Sequence, residues 1–298
     1  MKTILRTVVA VLAFATFVPV ASAQPLPTRE RGIEAGDVTV RDAQFQSQSL
    51  GRQMKYRVIL PIGYAETARR YPVLYLLHGL TGDYTNWEQN TRIDEYARTY
   101  RLIIVMPDAG DSWYTNSAGN PQNKFEDYIA RDLVREVDEH FRTLRLRNSR
   151  FIGGLSMGGY GALKFGLKYP QLFGFAASFS GAHSYIRNGL DPVGWPKASV
   201  DEFNEIFGAE KSETRTANDI STIIAKADPK TAPFLYLDCG TEDRLLQVNR
   251  EVAAQLQKAG FRFEYRERPG AHEWPYWDHQ VKQALALIAE QFDIGGRR

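Results

Sequence analysis

The sequence predicts an α/β fold: a mostly parallel central sheet flanked by helices, with antiparallel strands at its N-terminal side. Three patterns predict it. Five short runs are almost continuously apolar, helix-period stripes lie between them, and two earlier stretches alternate apolar with polar residues. Strands buried on both faces read as unbroken apolar runs, and such strands belong to parallel sheets.

The elements follow in order. Asp37–Gln48 and Arg52–Leu60 alternate, as a half-buried antiparallel pair does. The buried-strand runs are VLYLLHG (73–79), LIIVMPD (102–108), SRFIGGLS (149–156), FGFAASFSG (173–181) and PFLYLDCG (233–240), and the strand-like FRFEYRERP comes last. Ile129, Leu133, Val137 and Phe141 share one face of a helix over 126–142. Leu245, Val248, Val252 and Leu256 do the same ahead of Gly260, a helix stop, and Val281, Leu285, Ile288 and Phe292 form a last stripe. Residues 183–228 break the alternation. Rich in Gly, Pro, Asn and Asp, they read as an excursion or lid at the top of the sheet within a single domain spanning 37–294.

Ahead of that domain stands a leader. Lys2 and Arg6 precede an apolar run from Val8 to Val20, which ends in Ala21-Ser22-Ala23. These are the parts of a secretory signal peptide cleaved after Ala23, and the run is short for a permanent membrane anchor. Residues 24–36 read as a linker. Losing Lys2 and Arg6 takes the formal charge from +2 to neutrality. A neutral chain has no electrostatic attraction to nucleic acid or to a membrane surface. The single cysteine, Cys239, has no partner for an internal disulfide and sits in an apolar run, so it reads as a buried, inert thiol. The expected setting is secreted or periplasmic, with stability supplied by the core of a 298-residue chain.

FIGGLSMGGYGAL, residues 151–163, places Ser156 between Gly154 and Gly158, where an apolar strand gives way to a helix of small residues. A nucleophile on a sharp strand-to-helix turn needs small neighbours, because strand and helix approach closely there. The turn also aims backbone N–H groups at the substrate. A serine hydroxyl needs a base, and the base needs an orienting acid. In folds with this turn the chain order is Ser, acid, His. His78 and His140 precede Ser156, and His183 follows with no further strand to supply the acid. His279 reads as a helix-surface residue, which leaves His272, in a loop after the last strand. The loop after PFLYLDCG offers Glu242 and Asp243, with Asp238 inside the strand; Asp243 also reads as a helix N-cap, so spacing leaves the acid open. The oxyanion hole calls for two backbone donors: Met157 N–H after the nucleophile, and Leu80 N–H in the loop LYLLHGLTGDYTNW, which His78 shapes.

LLHGLTGDYTNW, IVMPDAGDSWYTN, GLSMGGYGALKFGLKYP, CGTEDRLL and GAHEW together resemble the esterase D-like branch of the α/β-hydrolase family. That branch includes tributyrin and feruloyl esterases, S-formylglutathione hydrolases and mycolyltransferases. The likeness extends over roughly residues 35–290 and implies the α/β-hydrolase fold. Carried onto the matching positions, it implies a triad of Ser156, Asp243 and His272, with Leu80 and Met157 as backbone donors.

The implied activity is a serine carboxylesterase that forms an acyl-enzyme and uses no cofactor and no metal. His272-Glu273 begins like a zinc motif, but Pro275 intervenes before His279. Trp87, Trp113, Tyr114 and Trp274 fall in loops at the catalytic end and are candidates to bind a flat acyl group or a sugar face. The expected partner is a small-molecule ester, short-chain or hydroxycinnamoyl, including carbohydrate esters. The rival activities are acyl transfer of the mycolyltransferase type and an S-formylglutathione hydrolase-like thioesterase. Export argues against the second, whose thiol substrate belongs to the cytosol.

Overall fold

The structure is a computed structural model that describes residues 37–191, 193–292 and 294. The signal peptide and linker read over residues 1–36 lie outside the described residues. Eight strands form one sheet: β1 (Thr39–Ser47), β2 (Arg52–Leu60), β3 (Val73–Leu77), β4 (Ile103–Pro107), β5 (Arg150–Leu155), β6 (Phe175–Phe179), β7 (Phe234–Gly240) and β8 (Phe263–Arg268). Their order is β1-β2-β4-β3-β5-β6-β7-β8. β1 pairs antiparallel with β2, and β2 with β4. All later pairs are parallel, with Val73 opposite both Ile103 and Arg150, and Phe151 opposite Phe175.

Burial explains why these runs became these strands. Every residue of β3, β4, β5 and β6 is buried, whereas the edge strand β1 alternates. Along β3 the pleat sends Val73, Tyr75 and Leu77 into one core, and Leu74 and Leu76 into the other. The helix Met157–Lys168, buried along all but its last residue, and the helix Leu246–Lys258 cover the first face. The helix Trp274–Phe292 covers the second with Trp277, Val281, Leu285 and Ile288. Among the described residues no helix is long and apolar enough to cross a membrane.

Two segments differ from the expectation. The stripe over 126–142 falls into a short helix Phe125–Asp127, a wide π turn Tyr128–Leu133 and the helix Val134–His140. Ile129, Leu133 and Val137 are buried as predicted, but Phe141 is extended and lies past the helix end. Residues 183–228 hold four helices: Tyr185–Asn188, Lys197–Phe207, Glu213–Asn218 and Ile220–Lys226. Phe203 and Phe207 pack edge-on against Trp113, which joins this segment to the loop after β4.

Candidate active site

The C-terminal ends of the parallel strands gather the chemistry, as open α/β sheets do. Ser156 follows β5 with φ 54° and ψ −115°, a strained turn for a residue with a side chain. A Cβ on Gly158 would lie 2.5 Å from the carbonyl oxygens of Leu77 and His78, and one on Gly154 would strike the Gly158 carbonyl. The glycines therefore let the helix start press against β3 and its loop. A Cβ on Gly79 would meet the Leu155 side chain at 2.6 Å and Ser156 Cβ at 3.5 Å. The loop after β3 thus passes directly over the serine.

His272, in the loop after β8, sets Nε2 3.0 Å from Ser156 Oγ and Nδ1 2.8 Å from Asp243 Oδ2. Asp243 lies 29 residues before His272 in the chain, and Ser156 lies 116 before it. The other oxygen of Asp243, Oδ1, accepts the Leu245 N–H at 2.8 Å. Burial alone would raise the Asp243 carboxyl. Its bonds to His272, Leu245 N–H and the Ser180 hydroxyl outweigh burial and hold it below the usual carboxylate range. The carboxylate is thus ionised and fixed by its two oxygens in different tasks: one holds the loop, the other faces the imidazole.

Glu242 points elsewhere. It is exposed, accepts the Gly270 N–H and the Thr241 hydroxyl, and pins the backbone that carries His272. Those hydrogen bonds lower its pKa. Asp238 is buried within β7, where desolvation raises its carboxyl well above the ordinary range. Met157 follows Ser156 in the chain, and Leu80 follows Gly79 in the loop that passes over that serine. Met157 is the first residue of its helix, so its N–H has no intrahelical acceptor. Among the described residues neither N–H is engaged elsewhere.

Residues 47–288 match the family model named Esterase. The chain belongs to the esterase family. An acetyl esterase of Caldicellulosiruptor saccharolyticus is 27% identical over 267 residues, which is 86% of this chain and 100% of that one. The endo-1,4-beta-xylanase/feruloyl esterase of Xylanibacter ruminicola is 25% identical over 252 residues, 80% of this chain and 30% of its own length. Among solved structures, substrate-bound FphF, a fluorophosphonate-binding serine hydrolase of Staphylococcus aureus, matches with a TM-score of 0.77 at 29% identity. It covers 85% of this chain and 99% of that one. The chain is a serine carboxylic ester hydrolase of the α/β-hydrolase fold and its esterase D-like branch.

The esterase's cleft, about 560 Å³, is lined by Ser156, His272, Leu80, Trp195, Trp274 and Arg244, among others. Of the four aromatic candidates, only Trp274 reaches it. Trp87 is 1% exposed; its indole N–H donates to Leu77 O at 2.9 Å, and its ring lies edge-on beneath Trp274. Trp113 is buried among Tyr160, Tyr185, Phe203 and Phe207. Tyr114 is fully buried, with its hydroxyl on His78 O at 2.8 Å. These three pack the loops and do not face substrate. Loop position was legible in the sequence; the inward direction of each ring was not.

Nothing in the sequence pattern marks Trp195 or Trp277 for the cleft, yet both line it. Trp195 comes from the 183–228 segment, whose irregular composition hid its approach to the cleft. Trp277 lies one helical turn beyond Glu273, sets its ring at 90° to His272 with centroids 4.9 Å apart, and donates its N–H to Ser180 Oγ at 3.3 Å. The remaining histidines stay out of the chemistry. His78 is buried, donates Nδ1–H to Gly79 O at 2.8 Å and accepts the Ala109 N–H on Nε2, and burial lowers its pKa. His183 is buried against Ser178, His140 pairs with Glu136, and His279 is exposed on its helix. Cys239 is buried, and desolvation raises its thiol pKa far from reactivity.

Proposed function

We propose that the chain is an exported carboxylesterase that cleaves short-chain or hydroxycinnamoyl esters through an acyl-enzyme on Ser156. The observation that carries the reading is the unbroken hydrogen-bond chain from Ser156 Oγ through His272 to Asp243, at 3.0 and 2.8 Å. In this reading His272 takes the Ser156 proton as Oγ attacks the ester carbonyl. Leu80 and Met157 N–H groups hold the oxyanion. His272 then gives the proton to the departing alcohol, and water cleaves the acyl-enzyme by the same steps in reverse roles. Asp243 keeps the Nδ1–H tautomer and stabilises the imidazolium. Residues 37–294 act as one catalytic domain, over which the segment 183–228 contributes Trp195 to the cleft wall.

Two features support the substrate class. The relatives named for acetyl and feruloyl esters match most of this chain. The cleft wall carries three indoles, Trp195, Trp274 and Trp277, with the amides of Asn86 and Asn90 beside them. A flat ring or a sugar face fits indoles, and amides suit hydroxyl groups. Export rests on the basic, apolar and small-residue segments of residues 1–23.

The test is a hydrolysis screen of acetyl, butyryl and feruloyl esters and acetylated xylan, run with and without added sugar. Release of free acid from acetyl or feruloyl esters is expected. Acyl-sugar formed at the expense of free acid would instead mark a transferase. A preference for S-formylglutathione would mark a thioesterase.

A further inference from the structure

Lys164 lies in the helix behind Ser156 with no exposed surface. Lysines are rarely fully buried unless every proton has a partner. Here Nζ donates to Tyr114 O at 2.7 Å, Thr115 Oγ1 at 2.8 Å and Glu126 Oε2 at 3.1 Å. Burial draws its pKa down to about 8 against the pull of Glu126, so the ammonium is still charged near neutrality. Glu126 has its own further partners, Lys168 at 2.6 Å and the Tyr169 hydroxyl at 2.8 Å.

The Tyr114 carbonyl belongs to a strained turn. Trp113 and Tyr114 hold φ of 51° and 52°, a left-handed conformation unfavourable for residues with side chains. The Tyr114 ring lies against Gly161, where a Cβ would stand 2.8 Å from it. From there its hydroxyl donates to His78 O at 2.8 Å. His78 in turn ties Gly79 O to Ala109 N–H. A continuous chain of buried hydrogen bonds therefore runs from Lys164 to the peptide groups immediately before Leu80.

We propose that Lys164, acting through the Tyr114 carbonyl and hydroxyl, is a positioning residue that fixes the Leu80 N–H over Ser156. The proposal rests on Leu80 being an oxyanion donor. The Tyr114 hydroxyl and the Lys164 ammonium touch no substrate. They hold the backbone of the loop after β3 from behind, and the wall of that loop facing Ser156 has no side chain to hold it, because Gly79 must pass there.

The test uses Tyr114→Phe, which keeps the ion network, and Lys164→Met, which removes it. Competent sites are counted by fluorophosphonate labelling. Then kcat and KM for p-nitrophenyl acetate are measured per labelled site, with the affinity for phenylboronic acid, whose tetrahedral serine adduct places an oxygen between the two donors. For Tyr114→Phe, kcat per site is expected to fall about tenfold, less than the 10²–10³ for losing a donor outright. KM should stay within about twofold, and boronate affinity should fall in step with kcat. Unchanged kcat per site and unchanged boronate affinity in Tyr114→Phe overturn the proposal, whatever happens to stability. Lys164→Met should likewise lower kcat per labelled site and boronate affinity in step; if both stay unchanged, Lys164 is not a positioning residue, and if that variant does not fold, Lys164→Arg is read in its place. A wild-type protein that carries no label on Ser156 instead refutes the esterase reading beneath the proposal.

Discussion

Replacing Asp243 by asparagine tests the site at its most constrained atom pair. The carboxylate accepts on both oxygens: Oδ1 from Leu245 N–H and Oδ2 from His272, each at 2.8 Å. An amide accepts on one side only. If its oxygen stays with Leu245 N–H, its NH₂ faces Nδ1, the imidazole proton moves to Nε2, and the base can no longer accept from Ser156. That tautomer costs about 10⁴ in kcat. If the amide flips, the tautomer is right, but the NH₂ meets the Leu245 N–H in a buried site. Each donor left unmet costs about 1–3 kcal/mol. At about 1.4 kcal/mol per decade, the flipped form still loses about 10² or more. The variant takes the less costly route, so hydrolysis of p-nitrophenyl acetate should fall between about 10² and 10⁴-fold. Glu242→Gln keeps an acceptor for Gly270 N–H and should stay within about threefold. Rates of both variants at pH 7.5, with thermal melts to show intact folding, make the comparison. A loss under tenfold in Asp243→Asn, or a larger loss in Glu242→Gln, refutes the assignment of the acid.

Ser156→Ala should lower turnover by about 10⁴-fold or more while the melting temperature holds, and retained turnover would remove the nucleophile. Trp87→Ala empties a core site and should cost about 3–5 kcal/mol of stability in urea melts. Trp274→Ala should leave stability within about 1 kcal/mol but raise KM for feruloyl over acetyl esters; equal effects on both esters would detach Trp274 from acyl recognition. Burial pulls the His183 imidazole down to about 3, so between that value and the unfolded 6.5 the unfolded chain binds the extra proton. The stability held at pH 7 is therefore lost as pH falls below about 6.5. At about 1.4 kcal/mol per unit, wild type should lose about 2–3 kcal/mol more than His183→Gln between pH 7 and 4.5, and parallel losses would refute the argument.

What the sequence disclosed tracks what physics makes local. VLYLL at β3 is buried on both faces and could only read as a central strand. Ser156 was legible because Gly154 and Gly158 answer a steric demand that no surface turn makes. Glu242 and Asp243 could not be separated by residue type, since they are neighbouring carboxylates in one loop. What separates them is which partner each carboxylate meets: Glu242 accepts the Gly270 N–H, and Asp243 faces His272. The N-cap reading of Asp243 does not hold: the helix Leu246–Lys258 is capped at Leu245 with no side-chain cap bond, and Asp243 Oδ1 instead accepts the Leu245 N–H two residues on, an Asx turn that orients the carboxylate toward His272. In 183–228 the caps were present, with Ser212 accepting Arg215 N–H and Asp219 accepting Thr222 N–H. Polar and glycine-rich composition masked them, because helices this short carry too little periodic apolar signal.

Strain is distributed in this fold as its chemistry requires. Of the seven described non-glycine residues with positive φ, five follow the neighbouring strands β3, β4, β5 and β6: Thr81, Trp113, Tyr114, Ser156 and Ser180. Glycine would adopt those angles without penalty. The side chains are there because at least three of them have tasks a glycine cannot perform. Ser156 carries the hydroxyl facing His272, Tyr114 reaches His78 O, and Ser180 accepts the Trp277 N–H. Each strained turn is held from outside itself. Ser156 N–H donates to Phe179 O and its carbonyl accepts from Ala182 N–H, Ser180 N–H donates to Asp238 O, and Thr81 N–H donates to Asp111. Every clamp but the last is anchored in or beside a fully buried central strand. A parallel sheet buried on both faces therefore does more than present loops at one rim: it supplies the rigid acceptors that keep unfavourable backbone angles populated where the side chains must converge.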